Sequence, residues 1–224
     1  MALPDLSESE LDELAGALRA ANPATSGREF WTAVSLYRLL AEGEPVTEAQ
    51  LAARSGVPAE EVSVLLREWP GVYRNDAAAI VGFWGLAQQE FPPHSLEVDG
   101  RQLWAWCSWD TLFLPVILGR TARVASVCAT TGEPVRVLVR PDGVEEVSPA
   151  GAVISFLRPD GPFGPDVILS FCHHVLFFSS RKAGERWAAG RENTFLLSLE
   201  QGFELGRRVW AAKLGEALTA ADAA

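Results

Sequence analysis

The sequence predicts an α+β protein in which a winged-helix-like helical domain, residues 1–90, precedes a mixed or antiparallel β-sheet domain with flanking helices, residues 91–224. Apolar residues recur at helical spacing near the start, whereas short alternating segments dominate the middle of the chain. A turn-rich stretch, residues 88–93, separates the two patterns. With 48% hydrophobic residues and eight tryptophans, the chain can bury a sizeable core.

Capping signals and helical periodicity predict the N-terminal elements. Ser7 and Glu10 have the spacing of a capping box, so the first helix is expected to begin at that serine. Residues 30–40 repeat the helical period, and residues 46–66 have the helix, glycine-containing turn and second helix of a helix-turn-helix. Residues 73–84 carry an Asn-Asp turn and predict a small β-hairpin, which would complete a winged helix.

The second region is expected to consist mainly of strands, because its alternating segments are separated by Gly- and Pro-rich turns. Asp110 to Leu118 has a helical pattern in spite of Pro115, and residues 187–189 and 197–218 predict helices at the C-terminal end. The strand candidates are residues 95–100, 121–127, 134–139, 144–147, 152–157 and 167–178.

The charge of the chain disfavours nucleic acid as a partner. The formal net charge is −10, and residues 1–90 contain 14 acidic and 6 basic side chains. The second helix of the helix-turn-helix carries Glu60, Glu61 and Glu68 against Arg67 alone. Since such a surface repels phosphate, we interpret this domain as structural or as a cover over an active site.

A cytoplasmic location without a membrane partner is expected. Residues 1–5 lack the basic region and apolar stretch of a secretory signal, and no apolar run reaches the roughly 18 residues of a membrane span. The three cysteines are odd in number and include no short-spaced pair, so reduced thiols are expected.

The cysteines are the most informative residues. Cys107 precedes Asp110 by three positions, a spacing that puts both side chains on one face of a helix. Cys172 lies in an apolar run typical of a strand, where His174 would share its face and His173 would point away; both histidines are expected to be core residues. Two thiols and a carboxylate in apolar surroundings indicate chemistry on a thiophilic metal.

Four ordered segments of the chain closely resemble the organomercurial (alkylmercury) lyase family. The resemblance covers most of residues 95–210, and the helix-turn-helix region is similar to the N-terminal domain of that family. The segments are residues 103–112 (LWAWCSWDTL), 118–124 (LGRTARV), 128–132 (CATTG) and 170–175 (SFCHHV).

The resemblance implies that residues 91–224 form a catalytic domain and assigns roles within it. Cys107 and Cys172 would be the catalytic thiols, Asp110 the catalytic carboxylate, and all three would be ligands of the mercury of substrate and product. Cys128 would be structural. The chain departs from the family pattern at Trp109, where a smaller aliphatic residue is expected, and at His173, where a further cysteine can stand; both departures bear on substrate range or metal hand-off.

The implied reaction is protonolysis of the carbon–mercury bond of alkyl- and arylmercury compounds, giving a hydrocarbon and mercury(II). Thiolates suit a soft metal, and a helix N-terminus would favour the Cys107 thiolate as the first nucleophile. Burial among Trp104, Trp106 and Trp109 would raise the pKa of Asp110 and let it carry a proton to carbon. No organic cofactor is expected; free thiols would serve as co-substrate or acceptor, and mercury(II) would pass to cellular thiols or a mercuric reductase.

Two other classes of function use the same residues. A metal-binding or sensor protein would hold zinc or copper through Cys107, Asp110, Cys172 and His174, but it would need a basic recognition helix, which this sequence lacks. A thiol redox enzyme would cycle a Cys107–Cys172 disulfide and would normally show a C-x-x-C spacing or a dinucleotide fingerprint, and neither is present.

Overall fold

A computed structural model describes residues 6–22 and 25–222 of the chain. Residues 1–5, where we expect no secretory signal, lie outside the described residues. Within the described part of the chain, no helix is both long enough and apolar enough to cross a membrane.

The N-terminal helices begin at the capping signals of the sequence. Ser7 and Glu10 form a reciprocal capping box, and two further boxes begin the second and third helices. Gly56 ends the third helix in the left-handed conformation at φ 71°, which makes the turn of the helix-turn-helix. The predicted winged helix is therefore confirmed. Its helices are α1 (Glu8–Ala21), α2 (Gly27–Leu40), α3 (Glu48–Ser55) and α4 (Ala59–Glu68).

One eight-stranded antiparallel sheet crosses the predicted boundary at residue 90. The strands are β1 (Val72–Arg74), β2 (Ile80–Phe83), β3 (Leu86–Ala87), β4 (His94–Val98), β5 (Arg101–Ala105), β6 (Ala122–Val127), β7 (Pro134–Arg140) and β8 (Gly143–Ser148). Their order in the sheet is β1-β2-β3-β5-β4-β6-β7-β8. The wing, strands β1 to β3, joins the C-terminal part through the pairing of β3 with β5.

A second, three-stranded antiparallel sheet and further helices complete the α+β fold. The elements are α5 (Asp110–Leu118), β9 (Val153–Leu157), α6 (Val167–Ser170), β10 (Phe177–Phe178), α7 (Arg181–Ala188), β11 (Thr194–Ser198) and α8 (Leu199–Asp222). The sheet order is β10-β9-β11, and α8 packs against α1, α2 and α5. This packing places α8 between the two halves of the molecule.

The strand predicted for residues 167–178 is wrong. This segment forms the short helix α6, a 3-10 turn at Cys172–His174 and the two-residue strand β10. A short apolar run does not by itself distinguish a strand from a short helical turn. The prediction of core histidines fails with that strand, since His173 and His174 are exposed on the 3-10 turn. The sequence pattern also misses strand β11.

His94 gives the fold a dependence on pH. It is 1% exposed on β4, its Nδ1 lies 2.9 Å from Ser126 Oγ, and its ring packs against Phe177. Burial lowers the pKa of His94 to about 4. The unfolded state, with an ordinary histidine pKa of about 6.5, therefore binds the proton more readily than the folded state at intermediate pH.

We expect the free energy of unfolding to carry a His94 contribution that is constant above about pH 6.5 and falls as the pH drops toward 4, by roughly 3 kcal/mol in total. Urea denaturation of wild type and His94→Gln across this range measures the effect. The carboxylates titrate in both proteins, so the difference between the two curves isolates the histidine. Parallel curves would contradict the assignment.

Candidate active site

Cys107 and Asp110 lie on either side of a tight bend between β5 and α5. Asp110 is the first residue of α5, and the backbone N–H of Cys107 donates a hydrogen bond of 2.9 Å to its Oδ2. The carboxylate thus accepts a hydrogen bond from the backbone of the bend, and it lies at the N-terminus of α5, where the helix dipole is positive. Cys107 precedes the helix, so the prediction that both side chains share one helix face is wrong, although the spacing of three still brings them together.

Cys172 reaches the same place from the 3-10 turn. The backbone N–H of Ser108 donates to the carbonyl of Val175 at 3.1 Å, which ties the Cys107 bend to the Cys172 turn. Ser155, fully buried on β9, donates its hydroxyl to the carbonyl of His174 at 2.7 Å and accepts from the N–H of Leu176 at 3.0 Å. These bonds fix a segment that has no long regular element of its own.

The three predicted site residues form one buried cluster. The ligand atoms of Cys107, Asp110 and Cys172 all lie within 4.8 Å of one another, and the side chains are 0%, 6% and 5% exposed. Two soft sulfur ligands and one carboxylate oxygen within this distance are suited to a thiophilic metal such as mercury(II). Cys128 lies elsewhere, in the turn between β6 and β7.

The backbone of Gly85 packs directly against the carboxyl group of Asp110. Its φ is 92°, and a Cβ at this position would lie 2.7 Å from both Cγ and Oδ1 of Asp110. Its carbonyl accepts from the N–H of Trp106 at 3.1 Å, and the preceding carbonyl, of Trp84, accepts from the Tyr37 hydroxyl at 2.8 Å. Only glycine allows this backbone conformation and this close approach together.

Burial raises the pKa of Asp110 to about 7, although hydrogen bonds from the Cys107 side chain and from the backbone of Cys107 and Trp106 act in the opposite direction. The carboxyl group is therefore poised to accept and to release a proton near neutral pH. Burial, the hydrogen bond with Cys172 and the nearby Asp110 raise the pKa of Cys107 well above its ordinary value. The predicted thiolate at Cys107 is thus disfavoured, because desolvation outweighs the helix dipole.

A cavity of ≈ 80 Å³ opens onto Asp110 and Cys172. Its walls are mostly aromatic, and both halves of the molecule contribute to them. Trp106 and Trp109, two of the three tryptophans expected around Asp110, line it, and Trp84 lines it as well. The aromatic lining consists of Phe30, Tyr37, Trp69, Phe83, Trp84, Trp106, Trp109, Phe113, Phe163, Phe171 and Trp210. Such a lining suits an apolar organic group.

Comparison with known proteins identifies the family. The family model "Alkylmercury lyase" matches residues 89–211, and that of the helix-turn-helix domain of alkylmercury lyase matches residues 11–84. Alkylmercury lyase of Staphylococcus epidermidis is 42% identical over 181 residues, 81% of this chain and 82% of the relative. That of Streptomyces lividans is 39% identical over 210 residues, 92% of this chain and 95% of the relative. The chain belongs to the alkylmercury lyase family.

A solved structure extends this family relationship to the fold. The crystal structure of the mercury-bound form of MerB2 superimposes with a TM-score of 0.70 at 25% sequence identity and covers 92% of this chain and 100% of that chain. The protein is therefore an enzyme of carbon–mercury bond cleavage, and organomercurials are its substrates. The expected resemblance and the α+β fold are both confirmed.

Sequence reasoning missed several residues of the alkylmercury lyase site. Tyr37, Gly85, Trp210 and Lys213 come from α2, the wing and α8, far in sequence from the cysteines. The glycine carried a local signal, since it stands in a turn between two strand segments. Its contact with Asp110 depends on the pairing of β3 with β5, which no local pattern specifies.

Replacement of Gly85 with Ala is expected to abolish most of the lyase activity, because the new Cβ would displace the Asp110 carboxyl group. Gly100→Ala is the matched control, since Gly100 has φ 76° and a Cβ added there would meet nothing within 4 Å. Both variants should lose about 1 kcal/mol of stability from the strained backbone, and Gly85→Ala should lose more because its Cβ also displaces a buried side chain. Hydrocarbon release and urea denaturation separate the two effects; equal loss of activity in both variants would contradict the role of Gly85.

Proposed function

We propose that Cys107, Asp110 and Cys172 cleave the carbon–mercury bond by protonolysis. The observation that carries this proposal is the convergence of two thiols and one carboxyl group, all buried, at the end of an aromatic cavity. An organomercurial R–Hg–X would place R against the aromatic walls and mercury among the three ligand atoms. Cys172 lines the cavity whereas Cys107 has no exposed surface, so the sulfur of Cys172 meets mercury first.

The proton balance follows from the state of the three groups. As sulfur bonds to mercury and X⁻ leaves, one thiol proton leaves with X⁻. The proton of the second thiol passes to the Asp110 carboxylate when that sulfur bonds to mercury. The carbon–mercury bond then breaks with its electron pair on carbon, and Asp110 delivers its proton there. The products are R–H and mercury(II) held by two sulfurs, so mercury keeps its oxidation state and no redox cofactor is required.

Free thiols complete the cycle. Two external thiols replace the two cysteine sulfurs on mercury(II) and return their protons to Cys107 and Cys172, which restores the enzyme. Cellular thiols or a mercuric reductase would be the acceptors. A site built on free thiols needs a reducing compartment, and all three cysteines are free, which supports a cytoplasmic location.

The helix-turn-helix region is proposed to serve as a wall of the cavity and to bind no nucleic acid. Phe30, Tyr37, Trp69 and Phe83 from this region line the cavity. The exposed side of α4 is acidic, and Glu61 forms an ion pair with Arg28 at 3.4 Å. Negative charge on this helix opposes contact with phosphate, whereas its apolar side is used for packing.

Release of benzene from phenylmercury in the presence of excess thiol tests the proposed function. Wild type should release it without any organic or nucleotide cofactor, and Cys107→Ser and Cys172→Ser should each reduce release to the level of thiol alone, since a hydroxyl is a poor ligand for a soft metal. Cys128→Ser is the control. Its Sγ lies 3.4 Å from Thr130 Oγ1 in the β6–β7 turn, so the substitution should cost roughly 1–3 kcal/mol of stability and spare turnover.

Two results would contradict this division of labour. Wild type that releases no benzene above the enzyme-free control would rule out the reaction under these conditions. A folded Cys128→Ser of normal stability without activity would show that Cys128 belongs to the chemistry. Hydrogen bonds from Thr130, Thr131 and Ser179 outweigh the effect of burial and lower the pKa of Cys128 to about 6, so this control is a stringent one.

Asp110→Asn is expected to separate binding from cleavage. The two sulfurs provide most of the affinity for mercury(II), whereas the amide cannot carry a proton to carbon. Calorimetric titration with mercury(II) should give an affinity close to that of wild type, while hydrocarbon release should fall at least about 100-fold. Affinity and turnover that fall together would instead make Asp110 chiefly a ligand.

A further inference from the structure

The lining of the cavity includes two charged side chains. Among the described residues that line it, two carry a formal charge, Asp110 and Lys213. Lys213 also lines an outer cleft of ≈ 800 Å³, together with Asn22, Thr25 and Phe163, which border both spaces. These four residues therefore form the mouth of the cavity.

Two side chains one turn apart on α8, Lys213 at the mouth and Trp210 in the cavity lining, carry hydrogen-bond donors suited to an anion. Lys213 Nζ donates to Thr25 Oγ1 at 3.3 Å and lies 5.9 Å from the centroid of the Phe30 ring. Trp210, one turn earlier on α8, lines the cavity and stacks on Phe30 with ring centroids 5.7 Å apart. Its indole Nε1 is buried without a hydrogen-bond partner among the described residues. A buried donor of this kind is costly unless a ligand satisfies it.

An aromatic wall connects the mouth with the reacting end. Phe171 precedes Cys172 and contacts Trp109, with ring centroids 6.4 Å apart; Trp109 contacts Phe113 at 4.9 Å, and Phe113 contacts Trp210 at 5.7 Å. A flat organic group lying along this wall would point one end at the thiols and the other at Lys213.

We propose that Lys213, with the indole N–H of Trp210, binds a carboxylate of the substrate, so that the enzyme favours organomercurials with an anionic group at the end remote from the cysteines. This inference rests on the proposed function. A net charge of −10 repels anions at a distance, so a local cation is needed to admit them. The carboxylate has two possible sources: the organic group itself, or a thiol carried on mercury, because mercury(II) prefers thiolate ligands.

The two lysines of the chain supply a matched pair of variants. Lys213→Met removes the charge at the mouth but keeps an apolar side chain, and Lys182→Met removes the same charge from an exposed position on α7. Lys213→Arg restores the charge, and Trp210→Phe removes the indole N–H but keeps an aromatic ring. All four variants and wild type are assayed for kcat/KM.

The first arm compares 4-carboxyphenylmercury with phenylmercury, both with 2-mercaptoethanol as a neutral thiol. The second arm compares phenylmercury with 3-mercaptopropionate against phenylmercury with 2-mercaptoethanol. In Lys213→Met, the preference for the carboxylate in one arm should fall about tenfold or more, the loss expected when a charge-assisted hydrogen bond is removed. Trp210→Phe should show a smaller loss in the same arm, Lys213→Arg should recover the preference, and Lys182→Met should match wild type.

The arms separate the outcomes. Loss in the first arm places the carboxylate on the organic group, and loss in the second places it on the thiol. An unchanged ratio in both arms for Lys213→Met, or an equal change in Lys182→Met, overturns the inference. Failure of wild type to cleave phenylmercury with 2-mercaptoethanol would instead overturn the proposed function, so the two failures are distinguishable.

Discussion

Burying the Asp110 carboxyl group costs free energy, because its charged form loses the solvation of water. The N-terminus of α5 and the backbone N–H of Cys107 offset part of this cost. The effect of burial is still the larger one, and the pKa of Asp110 is raised to about 7. Gly85 provides the space on the remaining side. The bend at Cys107, the turn at Gly85 and the pairing of β3 with β5 are all arranged around this one buried acid.

The helix-turn-helix unit also helps to keep Asp110 away from water. A proton held at Asp110 can be directed to carbon only if water is kept away, and the aromatic side chains of α2 and the wing close the cavity from one side. Tyr37 illustrates the arrangement, since its hydroxyl fixes the carbonyl of Trp84 beside Gly85. The N-terminal elements thus position the site although they contribute none of its three ligand atoms.

The sequence predicts this molecule well where the signal is local. Ser7 with Glu10, the turn at Gly56 and the alternation of residues 122–127 each specify their own element, and the spacing of Cys107 and Asp110 indicates a shared site. The strand predicted around Cys172 is wrong, because a short apolar run has too few residues to distinguish the period of a strand from that of a helical turn. Gly85 and Lys213 depend on contacts between distant segments, which local patterns do not contain.

The aromatic cavity also decides between the lyase and a metal sensor built on the same ligands. A sensor that held zinc or copper through two thiols and a carboxylate would close a full set of ligands around the ion. A sensor has no use for an apolar space beside its metal, whereas cleavage of R–Hg–X requires room for R next to the proton donor. Asp110 and Cys172 line that space, so an organic group bound there would lie beside the proposed proton donor and one of the proposed sulfur ligands. An apolar space that adjoins both groups is the arrangement that proton transfer to a mercury-bound carbon needs.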